Sequence, residues 1–149
     1  VEVLRGNHED MLLNALNDNT LHGFEISQWA RNGGLIEKMS EFREYKSWIE
    51  SFPLYKKVDD TLFVHAGVRP DIPLSEQTKD DLVWIRREFL NAKKFGVRGI
   101  KRVVHGHTPN FNGFPIIKPN RIALDSAAYL TGNLTAYNHR TGAVFQVTE

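Results

Sequence analysis

Hydrophobic positions along this chain change period several times, and the changes mark out its elements. Residues 1–5, Val-Glu-Val-Leu-Arg, read as a short apolar strand that breaks at Arg5-Gly6-Asn7-His8. Between Glu9 and Asn17, Met11, Leu12, Leu13 and Leu16 fall at helical spacing. A strand running into a helix N-terminus presents unpaired N–H groups and a positive dipole end, which favour anions. Residues 18–35 are loosely patterned, helical in pieces, with Gly33-Gly34 as a break. Ser40 is the expected N-cap of an amphipathic helix carrying Phe42, Tyr45, Trp48, Ile49 and Phe52, stopped by Pro53. At that spacing the aromatic stripe is expected to pack into a core.

Leu54 to Val58 and Thr61 to Val64 read as two strands around a tight Asp59-Asp60 turn. Thr78 to Leu90 holds Leu82, Val83, Ile85, Phe89 and Leu90 among charges, a second amphipathic helix whose basic Lys93-Lys94 tail suits a C-terminus. The final third turns to strand-like runs: Arg102 to Val104, Pro115 to Lys118, Arg121 to Leu124, Leu134 to Asn138 and Ala143 to Thr148. Gly132-Asn133 and Thr141-Gly142 supply turn chemistry between them. With no internal repeat, low-complexity stretch or linker, the pattern predicts one α/β unit, helix-rich early and strand-rich late.

Composition narrows the chemistry. With 19 Lys+Arg against 18 Asp+Glu over 149 residues, the net charge of +1 gives bulk electrostatics no hold on nucleic acid. A hydrophobic fraction of 41% beside 25% charged residues is ordinary globular usage and predicts a buried core. No apolar run approaches the roughly 20 residues of a membrane helix, and no basic flank precedes a hydrophobic stretch at the N-terminus. A soluble, cytoplasmic protein without membrane or nucleic-acid partners is the expectation. The absence of cysteine removes disulfides, thiolate metal sites and thiol nucleophiles, leaving His, Asp, Glu and Asn as ligands.

Three segments place coordinating side chains just after predicted strands: Gly6-Asn7-His8-Glu9, His65-Ala66-Gly67 and Gly106-His107-Thr108. Open α/β sheets carry their sites at such strand exits. Imidazole nitrogens and an amide oxygen suit Mn, Fe or Zn, and a glycine beside each ligand allows close approach of backbone and ion. One Gly-His pair would be incidental; three such loops in one chain point to a metal.

The strings Leu4-Arg5-Gly6-Asn7-His8-Glu9, Val64-His65-Ala66-Gly67, Trp84-Ile85-Arg86 and Val104-His105-Gly106-His107-Thr108-Pro109 resemble the calcineurin-like metallophosphoesterases. Within that superfamily they are similar to the PPP-type serine/threonine phosphatases, bacterial ones included, and to bacterial diadenosine tetraphosphatases. Leu124-Asp125-Ser126-Ala127 and Gly132-Asn133-Leu134-Thr135-Ala136 look like the strands that close such domains. The resemblance implies a sandwich of two mixed sheets flanked by helices and two divalent metal ions, Mn, Fe or Zn. Asn7, His65 and His107 would be ligands of the second metal, His8 the acid at the leaving group, and Arg86 the phosphate-binding residue, with Arg5 a second candidate. It implies direct attack by a metal-bound hydroxide, without a phosphoenzyme. The physical sense is that guanidinium matches the equatorial oxygens of a phosphoryl group in transfer and a metal pair clamps nucleophile and ester.

The family's two opening motifs, G-D-x-H-G and G-D-x-x-D-R-G, are not in this sequence, which has no Gly-Asp dipeptide. Residues 1–149 are therefore expected to be the C-terminal portion of a single phosphatase domain that lacks its first strands, holds at most one partial metal site and is inactive alone. Phosphoserine or phosphothreonine protein is the first substrate expectation. A dinucleoside polyphosphate or other small phosphoester is the alternative, and a non-catalytic metal- or phosphate-binding fragment the alternative of another class. Each residue also has a plainer reading: Asn7 and His8 as turn and cap, His65 as a core histidine, His105 as a structural or supporting group, and His22 and His139 as solvent residues. Arg87 competes with Arg86, because neighbours on a helix diverge by about 100°. Asp10, Asp125 and His105 are the replacement ligands to test first.

Overall fold

The computed structural model describes residues 1–18 and 23–149 and divides them into two compact units, Val1–Leu54 and Tyr55–Glu149. His22 lies outside the described residues.

The first unit is helical. Its α1 (Asn7–Asn17) starts earlier than its apolar pattern, because Glu9 reaches back to accept the Gly6 N–H at 2.8 Å. Met11, Leu12, Leu13, Ala15 and Leu16 of α1 are buried, together with Ile26 and Trp29 of α2 (Phe24–Arg31). Residues 1–5 form no strand: the Arg5 N–H donates to the Pro53 carbonyl at 2.9 Å, and no ladder is built on this segment. Extended, apolar sequence becomes a strand when a partner supplies the hydrogen bonds, and in this unit the neighbours are helices.

The expected helix after Ser40 is two short ones, α3 (Met39–Glu44) and α4 (Lys46–Glu50). Ser40 is inside α3, which continues from a 3₁₀ turn at Ile36–Lys38, so it caps nothing. The aromatic stripe is split as well. Phe42 stands edge-on to Trp29 at 5.5 Å and Ile49 is buried, whereas Tyr45 and Trp48 are 54% and 60% exposed. The stripe is divided between two separate helices that meet at Tyr45, and part of it misses the core.

The second unit is built on a five-stranded mixed sheet in the order β1-β2-β3-β5-β4. These strands are β1 (Tyr55–Val58), β2 (Thr61–Val64), β3 (Arg102–His105), β4 (Ile116–Lys118) and β5 (Arg121–Ala123). The outer pairs are antiparallel, and β2, β3 and β5 run parallel at the centre. Leu62, Val64, Val103, Val104 and Ile122 are buried there, the near-continuous apolar content of parallel strands covered on both faces. Asp59 makes the expected tight turn with φ at +52°, a conformation its short polar side chain tolerates. A separate two-stranded antiparallel sheet joins β6 (Asn133–Tyr137) to β7 (Val144–Thr148), and α7 (Ala128–Thr131) precedes it. All five late strand runs are present.

The expected helix over Thr78–Leu90 is α5 (Lys79–Trp84) and α6 (Arg87–Asn91), interrupted at Ile85-Arg86. Asp81 begins α5 firmly. Its carboxylate accepts the Thr78 N–H and hydroxyl at 2.9 and 2.8 Å, the Thr78 hydroxyl accepts the Asp81 N–H at 3.1 Å, and Arg69 binds its other oxygen at 2.7 and 2.8 Å. Burial pushes the Asp81 pKa up, but the Thr78 bonds and Arg69 outweigh it, and the net direction is down.

Asp81→Ala should lower the unfolding free energy by about 1–2 kcal/mol, mostly through the lost cap, since Arg69 is half exposed and its ion pair is screened. Because folding depresses this carboxyl pKa, its contribution is complete above the unfolded value near 3.8 and disappears as pH falls below it. Urea titrations at pH 7 and pH 3 should show a wild-type-to-variant gap that narrows on acidification. An unchanged gap would remove Asp81 from this role.

Candidate active site

The register of the parallel strands decides which side chains meet. Phe63 pairs with Val104 and His105 with Ala123, so the residues leaving β2, β3 and β5 emerge at one level: His65, then Gly106-His107, then Leu124-Asp125. Gly106 N–H donates to the His65 carbonyl at 2.9 Å and Leu124 N–H to the His105 carbonyl at 2.8 Å, which extends the ladder into these loops.

His65 Nε2 and His107 Nδ1 are 3.2 Å apart, with ring centroids at 5.0 Å. Two imidazole nitrogens on one tetrahedral zinc at about 2.0–2.1 Å would be separated by about 3.3 Å, so the pair fits adjacent ligands of a single ion. His107 Nε2 faces the Trp84 carbonyl at 3.3 Å, at the end of α5, and the Trp84 ring stands edge-on to His107 at 6.0 Å. With Nε2–H donated to that carbonyl, Nδ1 is the nitrogen left with a lone pair toward His65, the arrangement by which a backbone acceptor fixes a ligand tautomer.

His107 is 7% exposed and its φ is +63°, a left-handed conformation uncommon for a non-glycine residue and concentrated at functional sites. Burial drives its pKa down to about 4, helped by Arg86 and His65 and opposed by the Trp84 carbonyl and Asp125. The ring is thus neutral at pH 7, the form that binds metal. The same influence places Arg86 and Asp125 near this imidazole. Asp125 holds its own loop, accepting the Ala127 N–H at 3.1 Å where φ is +54°. The strand-exit argument that selected His65 and His107 applies equally to Asp125.

No group of three or more His, Cys, Asp or Glu side chains among the described residues is arranged to hold a metal. His65 and His107 come together as a pair of imidazoles with facing nitrogens. Asn7 and His8 belong to the helical unit, at the start of α1, with Asn7 buried and His8 exposed. Arg5, in the same unit, donates its guanidinium to the Glu50 carbonyl. Gly67 has a different purpose from the expected approach to an ion: a Cβ there would run into the Phe89 ring.

His105 has the structural role. It is 2% exposed, its Nδ1 faces the Gly106 carbonyl at 3.0 Å, its ring meets Phe89 edge-on at 4.9 Å, and Nε2 has no hydrogen-bond partner among the described residues. His139, expected in solvent, is half-buried with its ring against Phe63 at 5.5 Å.

Burial also takes His105 down to about 4. Since 6.5 is its ordinary value, the unfolded chain binds the extra proton first, and stability present above pH 6.5 is lost as pH falls toward 4. Metal-free protein should be less stable at pH 4.5 than at pH 7.5, with His105 supplying on the order of 2–3 kcal/mol of the difference. His105→Phe should flatten that dependence in urea unfolding. An identical pH slope in the variant would refute the assignment.

No protein-family model matches the sequence, and no curated protein matches it. A solved structure of a candidate diadenosine tetraphosphatase superposes with a TM-score of 0.70 at 21% identity, covering 99% of this chain and 68% of that one. The mixed five-stranded sheet, the separate two-stranded sheet and the flanking helices together give this chain the same α/β fold as that structure.

Proposed function

We propose that this chain serves metal-dependent hydrolysis of a phosphoester and that a dinucleoside polyphosphate, or a related small phosphoester, is the substrate class. The observation that carries the reading is the His65–His107 pair, two neutral-capable nitrogens 3.2 Å apart at the exits of adjacent parallel strands. Asn7 is proposed as the oxygen ligand that joins them. A bound divalent ion would supply Lewis acidity and lower the pKa of water toward about 7. His8 gives a proton to the departing oxygen, and Arg86 holds equatorial phosphate oxygens through its planar fork.

The sequence by itself ranks a phosphoprotein substrate first. The structural likeness to a candidate diadenosine tetraphosphatase supports the small-phosphoester alternative better. A serine/threonine protein phosphatase is retained as the second reading on the Arg5-Gly6-Asn7-His8-Glu9 string that it shares.

Calorimetric titration with Mn or Zn should detect a site that His65→Ala and His107→Ala each weaken by about tenfold or more. Unaltered metal binding in both variants would end the metal reading. In the same format, diadenosine tetraphosphate should bind more tightly than a phosphoserine peptide, and the reverse order would favour the protein-phosphatase reading. Residues 1–149 alone should turn over p-nitrophenyl phosphate with Mn near background, because a two-metal clamp fails far from additively when ligands are lacking. Robust turnover would direct attention to Asp10, Asp125 and His105 as further ligands.

A further inference from the structure

The cavity where α5 gives way to α6 has a volume of about 320 Å³, within the range of about 300–1,000 Å³ typical of small-molecule sites. Trp84, Arg86 and Arg87 line it, and Trp84 also stands edge-on to His107, so the lining shares a residue with the surroundings of the histidine pair.

On a continuous helix, Arg86 and Arg87 would point about 100° apart, and one of them at most would serve a given site. The break removes that choice. Ile85 has ψ 141°, and Arg86 has φ −131° and ψ −89°, far from helical values, and both consecutive arginines line one cavity. The acidic residues of the lining are largely spoken for. Arg69 binds Asp81 at 2.7 Å and Glu88 at 2.6 Å, which leaves Asp80 as the opposing charge in the lining. Arg86 and Arg87 are exposed, and no carboxylate engages either among the described residues.

We propose that this cavity is a subsite for a polyphosphate chain: Arg86 holds the phosphoryl group nearest the histidine pair, and Arg87 holds the next phosphate outward. The proposal deepens the functional reading above and rests on it for the reaction. Its physical content is separate: a monophosphorylated residue presents one phosphoryl group and has no use for the second fork, whereas a polyphosphate presents linked anionic groups that two adjacent guanidinium groups can each bind bidentately. Arg87 is thus a specificity residue, selecting chain length over a single phosphate.

The test is calorimetry on the full chain in EDTA, with tripolyphosphate and orthophosphate as probes. Tripolyphosphate should bind about tenfold or more tighter than orthophosphate, as expected from one additional charge-assisted contact. Arg87→Ala should remove that advantage while leaving orthophosphate affinity within about twofold, and Arg86→Ala should weaken both anions. Arg87→Lys should restore little, since an ammonium lacks the planar fork. Equal affinity for the two anions, no binding of either, or unchanged selectivity in Arg87→Ala would overturn the proposal. So would an equal loss in a Lys93→Ala/Lys94→Ala double variant, which would mean diffuse attraction to positive charge. Metal binding by His65 and His107 is measured separately, so failure of the hydrolase reading and failure of this subsite give different results.

Discussion

Parallel pairing of β2, β3 and β5 is the constraint on which the chemistry of the larger unit depends. Parallel strands with a fixed register bring their C-terminal ends to one level, and here that level carries His65, His107 and Asp125. A one-residue slip would reverse which face each side chain occupies and separate the two histidines. The register is held by apolar burial on both faces: Leu62 pairs with Val103 and Val104 with Ile122, and all four are almost fully inaccessible. The fold's hydrophobic interior is therefore also the device that sets a 3.2 Å separation between two nitrogens.

Helix α5 is bound into this arrangement by its last carbonyls. The Leu82 carbonyl accepts the Ala66 N–H at 2.9 Å, and the Trp84 carbonyl faces His107 Nε2 at 3.3 Å. Carbonyls in the final turn of a helix have no intrahelical partner, and these two find theirs in the loops that follow β2 and β3. The break at Ile85-Arg86 ends α5 at Trp84 and takes Arg86 out of helical geometry. The other end of α5 is fixed by the Thr78–Asp81 cap and Arg69. Six residues of helix are thus anchored at both ends, and the carbonyl at one end orients the His107 ring.

The helical unit starts α1 by a different route. Glu9 takes the Gly6 N–H, so α1 begins at Asn7 and the expected ligand and acid sit in its first turn, where backbone N–H groups and the helix dipole favour negative charge. Trp48, with Phe52 edge-on to it at 4.7 Å, Trp29 and Leu12 border a shallow apolar cavity that His8 also lines. The exposed Trp48 shows why helical spacing is a weak guide to burial when the helix is broken: the stripe is divided between α3 and α4, and part of it stays outside the core.

The sequence determined the strands, the strand exits and the residue types suited to a metal. Short runs around 55–58, 61–64, 102–105 and 121–123 carry their own signal, and His65 follows such a run directly while His107 comes one residue later. It determined the α5 start too, because Thr78 and Asp81 are neighbours along the chain and a cap is a local structure. Tertiary structure decided what depends on distant partners. Residues 1–5 have strand composition but no ladder, Ser40 has cap chemistry but sits within a helix, and the Trp84-Ile85-Arg86 break has no proline or glycine to announce it. The left-handed turn at His107, the Trp84 carbonyl that orients its ring and the shared cavity of Arg86 and Arg87 belong to the same class. Each arises from hydrogen bonds and packing between segments tens of residues apart, whose free energy exceeds the small local preferences that a reading along the chain can register.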